Sequence, residues 1–499
     1  MTRGDRGEEL IEWIRGEVVG DDAVVDGPFG PRRMVYADAT ASGRSLAFIE
    51  DLIREQVLPT YANTHTEASA TGRRTTELRE QARRIVHRAV NGSADDAVVF
   101  CGSGATGAID KLIRVLALDR GPRPVVFIGP YEHHSNELPW RESPADVVPI
   151  AEDGDGRIDL EHLEHELRRH AHRPRKIGSF SAASNVTGVV TDVDRVAVAL
   201  HRHGALSCWD YAAAGPYLPI DMNAAPEVPD GHLAYKDAVF LSPHKFPGGP
   251  GTPGVLVAKR GLLRRPVPTV PGGGTILFVS PSAQSYHPEA EVREEGGTPA
   301  IVESIRAGLA FALKEAVGAH AILRREHDLA RRALRSWLAN PRIEILGSAT
   351  PERLAVVSIG LRHPPGHLHA NFVVAVLSDL LGIQARSGCF CAGPYIHRAY
   401  PIDDLWSQRM HAEVAKGHVG AKLALIRLSF PYHVSEAAFA YVLDAVHLIA
   451  DQGWTLLPLY RFDPYTAISE HRAAGRSAPV GLRAMLDAAP PRFARAPDS

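Results

Sequence analysis

A lysine that could act as a nucleophile follows an apolar stretch in the middle of the chain. Phe240 and Leu241 end a predicted strand, and Ser242, His244 and Lys245 come after them, ahead of a glycine-rich segment. A lysine at the end of a buried strand is partly desolvated, which lowers its pKa and makes the amine reactive towards a carbonyl group. Ser242 and His244 can donate hydrogen bonds to a phosphate. Taken alone, such a pattern more often marks a surface lysine in a loop.

Further polar groups follow earlier predicted strands. Asp210 comes directly after Leu206–Trp209, where a carboxylate can pair with a protonated pyridine nitrogen or, equally well, cap a helix. The stretch Cys-Gly-Ser-Gly-Ala-Thr-Gly at 101–107 joins a strand to a helix, and its small residues let a phosphate approach the free N–H groups of that helix. His133 follows the strand Val125–Gly129, and its ring can stack on a planar ligand.

These groups depend on a strand–helix alternation that extends from Val35 to about Ser304. The alternation predicts a largely parallel α/β sheet with helices on both faces, which binds ligands at the carboxyl ends of its strands. The predicted strands are Ala97–Phe100, Val125–Gly129, Lys176–Ser181, Leu206–Trp209, Ala238–Leu241 and Gly254–Ala258. The predicted helices are Thr76–Val90, Gly107–Leu116, Leu160–Arg169 and Val193–His203.

The remaining chain divides into smaller units. One long helix is predicted over Ile301–Leu338, a second, smaller α/β unit follows it, and a tail rich in Ala, Pro and Arg begins at Ala473 and is expected to fray. The N-terminal residues are polar, with a short helical pattern at Leu10–Ile14. We therefore predict an N-terminal segment (1–35), a large domain (36–304), a small C-terminal domain (305–455) and a partly flexible C-terminal extension (456–499).

The overall composition narrows the class of protein. The 499 residues carry a formal net charge of -3, from 55 basic and 58 acidic side chains, which gives no reason to expect nucleic acid or an anionic membrane as partner. No apolar run approaches the roughly 18 residues of a membrane span, and no secretory signal pattern is expected. Four cysteines are too few for a disulfide framework, and no second pair accompanies Cys389 and Cys391 to complete a metal site. A cytoplasmic location without a metal is expected.

A series of short motifs carries a family resemblance. They are Tyr-Ala-Asp-Ala-Thr-Ala-Ser at 36–42, Gly-Ala-Thr at 104–106, Glu-His-His-Ser-Asn at 132–136, Ser-Asn-Val-Thr-Gly at 184–188, Asp210, Ser-Pro-His-Lys at 242–245, Gly-Gly-Gly-Thr at 272–275 and Gly-Thr-Pro at 297–299. From about Tyr36 to Val442 the chain resembles the class V aminotransferase family of fold-type I pyridoxal-phosphate (PLP) enzymes, in particular its cysteine desulfurase and selenocysteine lyase branch. The resemblance implies PLP as cofactor, a large domain with a mostly parallel sheet flanked by helices, and a smaller C-terminal α/β domain.

The resemblance also implies a role for each matching residue. Lys245 would form the Schiff base with PLP and move the α-proton of a small amino-acid substrate, Asp210 would pair with the pyridine nitrogen, and His133 would stack on the ring. Asn185 would lie beside the phenolic oxygen of the cofactor. The residues that would hold the phosphate are Ala105, Thr106, Ser242 and His244. In the family, a threonine like Thr298 reaches the phosphate of the partner subunit, which implies a homodimer.

Two C-terminal stretches bear on the substrate. Arg427-Leu-Ser-Phe resembles the family strand whose arginine clamps the substrate carboxylate, and Arg386 would be a second anion contact. Cys391 matches the sulfur-accepting cysteine of the family's mobile loop, and the flanking Gly388 and Gly393 are expected to let that loop move. The match predicts removal of sulfur from L-cysteine through a Cys391 persulfide, with a sulfur-acceptor protein as a further partner.

The chain also departs from the family pattern. Ala213 stands where the family has Gln, Ala39 stands where it has Asn, and the stretch 63–69 lacks the family's Arg and second His beside the substrate pocket. These departures keep open another PLP reaction on an amino acid, such as transamination, epimerisation or a C–S lyase step. An inert role for Cys389 and Cys391, and a non-catalytic PLP-fold binding protein, are the remaining alternatives.

Overall fold

The computed structural model describes residues 3–349, 352–400 and 402–473 of the chain. Its strands of three or more residues are β1 (Asp96–Cys101), β2 (Val125–Ile128), β3 (Asp146–Pro149), β4 (Lys176–Ser181), β5 (Leu206–Asp210), β6 (Ala238–Leu241), β7 (Gly254–Lys259), β8 (Ile276–Val279), β9 (Gln284–Tyr286), β10 (Ile343–Ile345), β11 (Val356–His363), β12 (Arg386–Gly388), β13 (Leu425–Ser429), β14 (Tyr460–Asp463) and β15 (Ile468–His471).

The α-helices of seven or more residues pack around these strands. They are α1 (Arg3–Gly16), α2 (Ala70–Ala89), α3 (Gly104–Leu116), α4 (His134–Arg141), α5 (Leu160–Arg169), α6 (Val193–Arg202), α7 (Ile301–Val317), α8 (Ala319–Leu338), α9 (Ala370–Leu381), α10 (Gly393–Ala399), α11 (Asp404–Ala415) and α12 (Glu436–Gln452). Within the described ranges, no helix combines the length and apolar character that crossing a membrane requires.

A seven-stranded sheet with the order β1-β7-β6-β5-β4-β2-β3 organises the larger part of the fold. Strands β2 to β6 pair in parallel, and β7 runs antiparallel to both of its neighbours, β1 and β6. Every residue of β1, β2 and β6 is buried, as expected when helices cover both faces of a parallel sheet. The predicted mostly parallel sheet is therefore confirmed.

The topology of this sheet brings the chemically interesting residues to one edge. Asp210 is the last residue of β5, Ser242 follows β6, and Ser181 is the last residue of β4. Because β7 runs in the opposite direction, its first residue, Gly254, lies at the same edge and Thr252 just before it. Parallel strands with neighbouring carboxyl ends create the crevice in which α/β proteins bind ligands.

A second, antiparallel sheet with the order β10-β11-β13-β12 forms the smaller α/β unit. Its core includes Trp337 of α8, Phe372 of α9 and Phe439 of α12, which are buried together. The two-residue strand Val35–Tyr36 pairs in parallel with Ile383–Gln384 and so ties the start of the chain to this unit.

Three details differ from the sequence-based expectations. The single helix predicted over Ile301–Leu338 is two helices, because Gly318 adopts a φ of 87° that a continuous helix cannot accommodate. The N-terminal helix is longer than the pattern at Leu10–Ile14 and buries Ile11 and Ile14. The segment 386–394, where Cys391 was expected on a mobile loop, consists of β12, a short connection that carries Cys391, and the beginning of α10.

The described part of the C-terminal extension is folded. Residues 453–459 form a 3-10 helix, and β14 and β15 form a hairpin that packs against α9. The tail expected to fray lies, from residue 474 onwards, outside the described residues. The division into four segments with boundaries at 35, 304 and 455 stays a prediction.

Candidate active site

The polar residues expected at the strand ends line one cavity of about 520 Å³. We call Asp210, Ser242, His244, Lys245 and His133 the strand-end group, because each ends or follows a strand of the large sheet. Arg386, Phe390, Cys391 and Arg427 form the C-terminal group, which comes from the smaller unit. The predicted site residues that line the cavity are Ala105, Thr106, His133, Asn185, Asp210, Ser242, His244, Lys245, Arg386, Cys391 and Arg427.

Lys245 is held by a single turn of 3-10 helix, Pro243–Lys245, directly after β6. Its amine has no hydrogen-bond partner among the described residues. Burial lowers the pKa of Lys245 to about 8, while Asp210 raises it and Arg427 lowers it. A group with this pKa is neutral in about a tenth of the molecules at pH 7, far more often than an ordinary lysine.

Asp210 is 4% exposed at the end of β5. Its Oδ1 accepts a hydrogen bond of 2.7 Å from the N–H of Ala212. Burial raises the pKa of the carboxyl, whereas this hydrogen bond and the charge of Lys245 lower it. Residues 212–217 form turns and not a helix, so Asp210 does not act as a helix cap. A buried carboxylate with free acceptor capacity suits a cationic ring nitrogen.

The beginning of α3 forms a cradle for an anion. The N–H of Ala105 donates to Ser242 Oγ at 2.8 Å, and Thr106 Oγ1 lies 2.6 Å from Ser135 Oγ. Gly104 has a φ of 52°, and a Cβ placed there would lie 2.9 Å from Ser242 Oγ, so only glycine lets the helix approach β6 this closely. Hydroxyl groups gathered at a helix N-terminus are a suitable setting for a phosphate.

Two histidines of the strand-end group are neutral. His133 caps α4, and its Nδ1 accepts a hydrogen bond of 3.1 Å from the N–H of Ser135. Burial, with a smaller effect of Lys245, lowers the pKa of His133 to about 3 and that of His244 to about 4. A neutral imidazole can lie against an aromatic ring without adding a second cation beside Lys245.

The two arginines predicted to bind the substrate share a carboxylate for which the sequence motifs predicted no role. Asp38 accepts one hydrogen bond of 2.9 Å from Arg386 Nε and another of 2.9 Å from Arg427 NH2. Arg427 also donates to the carbonyl of Asn185 at 3.0 Å. Asp38 therefore fixes the direction of both guanidinium groups at the cavity wall. The signal that could have found it is its place in the opening motif 36–42.

The cysteine loop is held by hydrogen bonds from a turn after β4 and from the beginning of α4. The side-chain amide of Asn185 donates to the carbonyl of Phe390 at 2.8 Å, and the N–H of His134 donates to the carbonyl of Cys391 at 2.6 Å. Phe390 and Cys391 both have positive φ angles, 53° and 56°, a conformation costing about 1 kcal/mol or more for a residue other than glycine. The two hydrogen bonds stabilise this unfavourable backbone conformation. In it, Cys391 is exposed and also lines the cavity.

The cavity lining fits a bound polar group. Thr40 Oγ1, Thr252 Oγ1 and Arg427 Nε are buried and lack a hydrogen-bond partner among the described residues, and all three residues line the cavity. Buried polar groups are nearly always satisfied in native proteins, so a ligand with several acceptors belongs here. Together with the cradle at Gly104, these donors fit PLP.

Some expected residues lie elsewhere. Thr298 is exposed and does not line the cavity of the single chain; its Oγ1 accepts from Asn63 Nδ2 at 3.4 Å. None of residues 63–69 lines the cavity either. Asn185 lines it, but its amide is engaged by Phe390. Lining residues for which no role was predicted include Thr40, Ser42, Ser135, Ser181 and Thr252.

Comparison with known proteins identifies relatives of this chain by sequence and by fold. A probable cysteine desulfurase of Streptomyces coelicolor is 30% identical over 372 residues, covering 72% of this chain and 84% of that protein. One from Halalkalibacterium halodurans is 28% identical and covers 74% and 87%. The chain also has the fold of a solved cysteine desulfurase from Thermococcus onnurineus, with a TM-score of 0.71, 22% identity and coverage of 88% and 98%.

A second solved structure, the cysteine desulfurase CsdA of Escherichia coli in an S-sulfonic acid form, matches with a TM-score of 0.69 and 21% identity, over 90% of this chain and 99% of that one. These folds confirm the expected fold-type I architecture. The family model described as aminotransferase class-V matches residues 35–437. The chain therefore belongs to the class V aminotransferase family.

Proposed function

We propose that this protein is a PLP-dependent cysteine desulfurase that removes sulfur from L-cysteine and transfers it to Cys391. The observation that carries the proposal is that Lys245, Asp210 and the exposed Cys391 line one cavity together with Arg427. The names of the similar proteins from Streptomyces coelicolor and Thermococcus onnurineus support the same activity.

When bound, PLP supplies an electron-accepting ring that weakens bonds at the α-carbon of an amino acid. Lys245 would hold the cofactor covalently, Asp210 would face its ring nitrogen, and the neutral His133 would lie against the ring. The N-terminus of α3, with Ser242 and His244, would bind its phosphate. These assignments are supported by the cradle at α3 and by the unpaired donors of the lining.

Lys245 would also handle the proton of the substrate. With a pKa of about 8, its amine accepts a proton readily near neutral pH and gives it back at little cost. The substrate carboxylate would bind Arg427 Nε, which lacks a partner within the described ranges, and the terminal nitrogens of Arg386. A planar guanidinium group that Asp38 already orients suits a planar carboxylate.

Cys391 would accept the sulfur. L-Cysteine and the Cys391 thiol would give L-alanine and a Cys391 persulfide: the C–S bond of the substrate breaks, an S–S bond forms at Cys391 Sγ, and the β-carbon takes up the proton. Because Cys391 is exposed, a thiol of an acceptor protein can reach the persulfide. A thiol must be partly ionised to attack.

The test is a screen of amino acids with the purified, PLP-loaded protein, in which sulfide, alanine and keto acid are measured in parallel. L-Cysteine should give equal amounts of alanine and sulfide in the presence of a reducing thiol. Release of a keto acid in place of alanine would assign a transaminase or a C–S lyase, and racemised amino acid without sulfide would assign an epimerase.

We also propose that the active protein is a homodimer. Strand β8 exposes Ile276, Leu277, Phe278 and Val279, which are between 37% and 64% exposed in the single chain. A run of exposed apolar side chains on a hairpin is typical of an interface. The exposed Thr298 lies near the same segment, because the N–H of Gly297 donates to the carbonyl of Gly273.

Sedimentation velocity tests the dimer. The unaltered chain should sediment at twice the monomer mass, and Leu277→Asp or Phe278→Asp should yield a monomer with reduced PLP retention. Leu405→Asp, at an equally exposed position on α11, is the control and should remain dimeric. A monomer with full activity would contradict the proposal.

The cytoplasmic location is likewise proposed, supported by four free cysteines.

A further inference from the structure

A second cavity, of about 350 Å³, lies between the N-terminal part of the chain and the beginning of α12. We call it the N-terminal cavity. It shares no lining residue with the active-site cavity. Much of its wall is apolar, and this part consists of Val18, Met34, Val35, Leu381, Pro431 and Val434. Its size is that of a small-molecule site, and no step of the proposed reaction uses it.

The same cavity is lined by two arginines without a carboxylate partner. Arg32 Nε donates to the carbonyl of Leu380 at 2.7 Å, and Arg44 NH2 donates to the carbonyl of Val19 at 2.7 Å; neither forms an ion pair within the described ranges. Two further lining arginines are neutralised, Arg33 by Asp21 and Arg15 by Glu12. The lining therefore keeps two uncompensated positive charges next to its apolar wall.

A buried histidine of the lining has no hydrogen-bond partner for its ring within the described ranges. His433 is 5% exposed, and neither of its ring nitrogens has a hydrogen-bond partner in the described part of the chain. Burial also lowers its pKa to about 4, so the ring is neutral and offers one donor and one acceptor. An imidazole left unpaired in the interior is costly, and native proteins rarely tolerate one without a bound group.

The beginning of α12 adds free N–H groups. Ser435 caps this 17-residue helix by accepting from the N–H of Ala438 at 3.1 Å, whereas the N–H of Ala437, which also lines the cavity, makes no hydrogen bond to the described residues. A helix N-terminus carries a partial positive charge. The acid in its first turn, Glu436, is paired with Arg332 and does not line the cavity.

From these observations we propose that the N-terminal cavity binds a small organic oxyanion, a carboxylate or phosphate on an apolar body of about one aromatic ring. Arg32, Arg44 and the α12 N-terminus recognise the charge, and the wall around Val35 and Leu381 takes up the body. Tyr36 lines this cavity, and two residues later Asp38 holds the arginines of the active site. Occupancy therefore fixes the segment that carries Asp38.

Isothermal titration of the PLP-loaded full chain tests the ligand chemistry. The probes are benzoate, phenyl phosphate, the neutral benzamide and inorganic phosphate. Benzoate or phenyl phosphate should bind at least about tenfold more tightly than benzamide and inorganic phosphate, and the tighter of the two identifies the head group. Equal binding of benzamide would overturn the role of charge, and equal binding of inorganic phosphate would overturn the role of the apolar body. Absence of binding at millimolar concentration would overturn the site.

Substitutions locate the binding. Arg44→Gln and Arg32→Gln should each weaken the better probe by about tenfold, and His433→Phe should do so if its circular dichroism is unchanged. Two controls should keep the affinity: Arg386→Gln in the active-site cavity and Arg335→Gln at an exposed position of α8. If Arg386→Gln abolishes binding while Arg44→Gln does not, the probe occupies the active site and the proposal is wrong.

Discussion

The two groups that line the active-site cavity are held in different ways. Asp210 ends β5 and Lys245 lies one turn beyond β6, so the hydrogen-bonded sheet fixes the strand-end group directly. The C-terminal group depends on contacts between residues far apart in the chain: Asp38 and Arg427 are separated by 389 positions, and Asn185 and Phe390 by 205. The sheet alone positions the strand-end group, whereas the C-terminal group is positioned by the packing of the two units against each other.

This difference matches the chemistry that each group would perform. The strand-end group is desolvated, and burial brings the pKa of Lys245 down to about 8 while it raises the pKa of Asp210. Cys391 is exposed, as a thiol must be that passes sulfur to another protein. Groups whose reactivity requires desolvation lie at the strand ends of the large sheet, and the group that requires access lies on a loop that Asn185 and His134 hold by hydrogen bonds.

The largest effect is expected in the strand-end group. Lys245→Ala should lower turnover of every amino acid by about 10³-fold or more, since the amine would both hold the cofactor and carry the proton. It should also abolish the trapping of PLP by borohydride, measured by mass spectrometry. Lys422→Ala, at an exposed lysine outside the cavity, is the control. Covalent trapping that survives in Lys245→Ala would show that the cofactor is held elsewhere.

A smaller but more selective effect is expected in the C-terminal group. Cys391→Ala should retain PLP and bind L-cysteine, yet lose sulfur transfer by about 100-fold or more, because a covalent participant is removed. Cys389→Ala, two positions away and only partly exposed, should retain most activity. Mass spectrometry after treatment with L-cysteine should find the persulfide on Cys391. An unmodified Cys391, with full turnover in Cys391→Ala, would favour the transaminase or epimerase alternative.

The contacts that join the two units can be tested by measuring the free energy of unfolding of variants that lack them. Asp38→Ala leaves the buried guanidinium group of Arg427 without its carboxylate, which should lower the free energy of unfolding by about 3 kcal/mol in urea denaturation. Arg386→Ala breaks the other arm of the same bridge, where the arginine side chain is 52% exposed, and should cost about 1 kcal/mol or less. Equal losses in the two variants would mean that burial of Arg427 does not decide the energy.

The difference between the strand-end group and the C-terminal group also explains which parts of the site could be predicted from the sequence. Strands β1, β2, β6 and β7 were predictable to within one or two residues because their apolar runs are continuous. Strands β4 and β5 are more polar but fit the strand–helix alternation, and Asp210 and Lys245 follow from where β5 and β6 end. The bridge from Asp38 to Arg386 spans 348 positions, and no local pattern reports such a pairing. The orientation of Asn185 towards Phe390 likewise depends on how the two units meet. The break at Gly318 was missed because the apolar pattern continues on both sides of it.

The smallest expected effect is a pH shift that measures how strongly the cavity tunes Lys245. The neutral amine of Lys245 would attack the carbonyl of PLP, so the rate of PLP incorporation into the apoprotein should rise about tenfold per pH unit below the pKa of Lys245 and level off above it. Because burial lowers this pKa from 10.5 to about 8, the plateau should begin near pH 8. Arg386→Gln removes a cation that lowers the pKa of Lys245, so it should move the midpoint upwards by a fraction of a pH unit, as followed by stopped-flow absorbance. A rate that still rises tenfold per unit beyond about pH 9 would show that Lys245 behaves as an ordinary solvated lysine, and the distinction between a desolvated strand-end group and an accessible C-terminal group would fail.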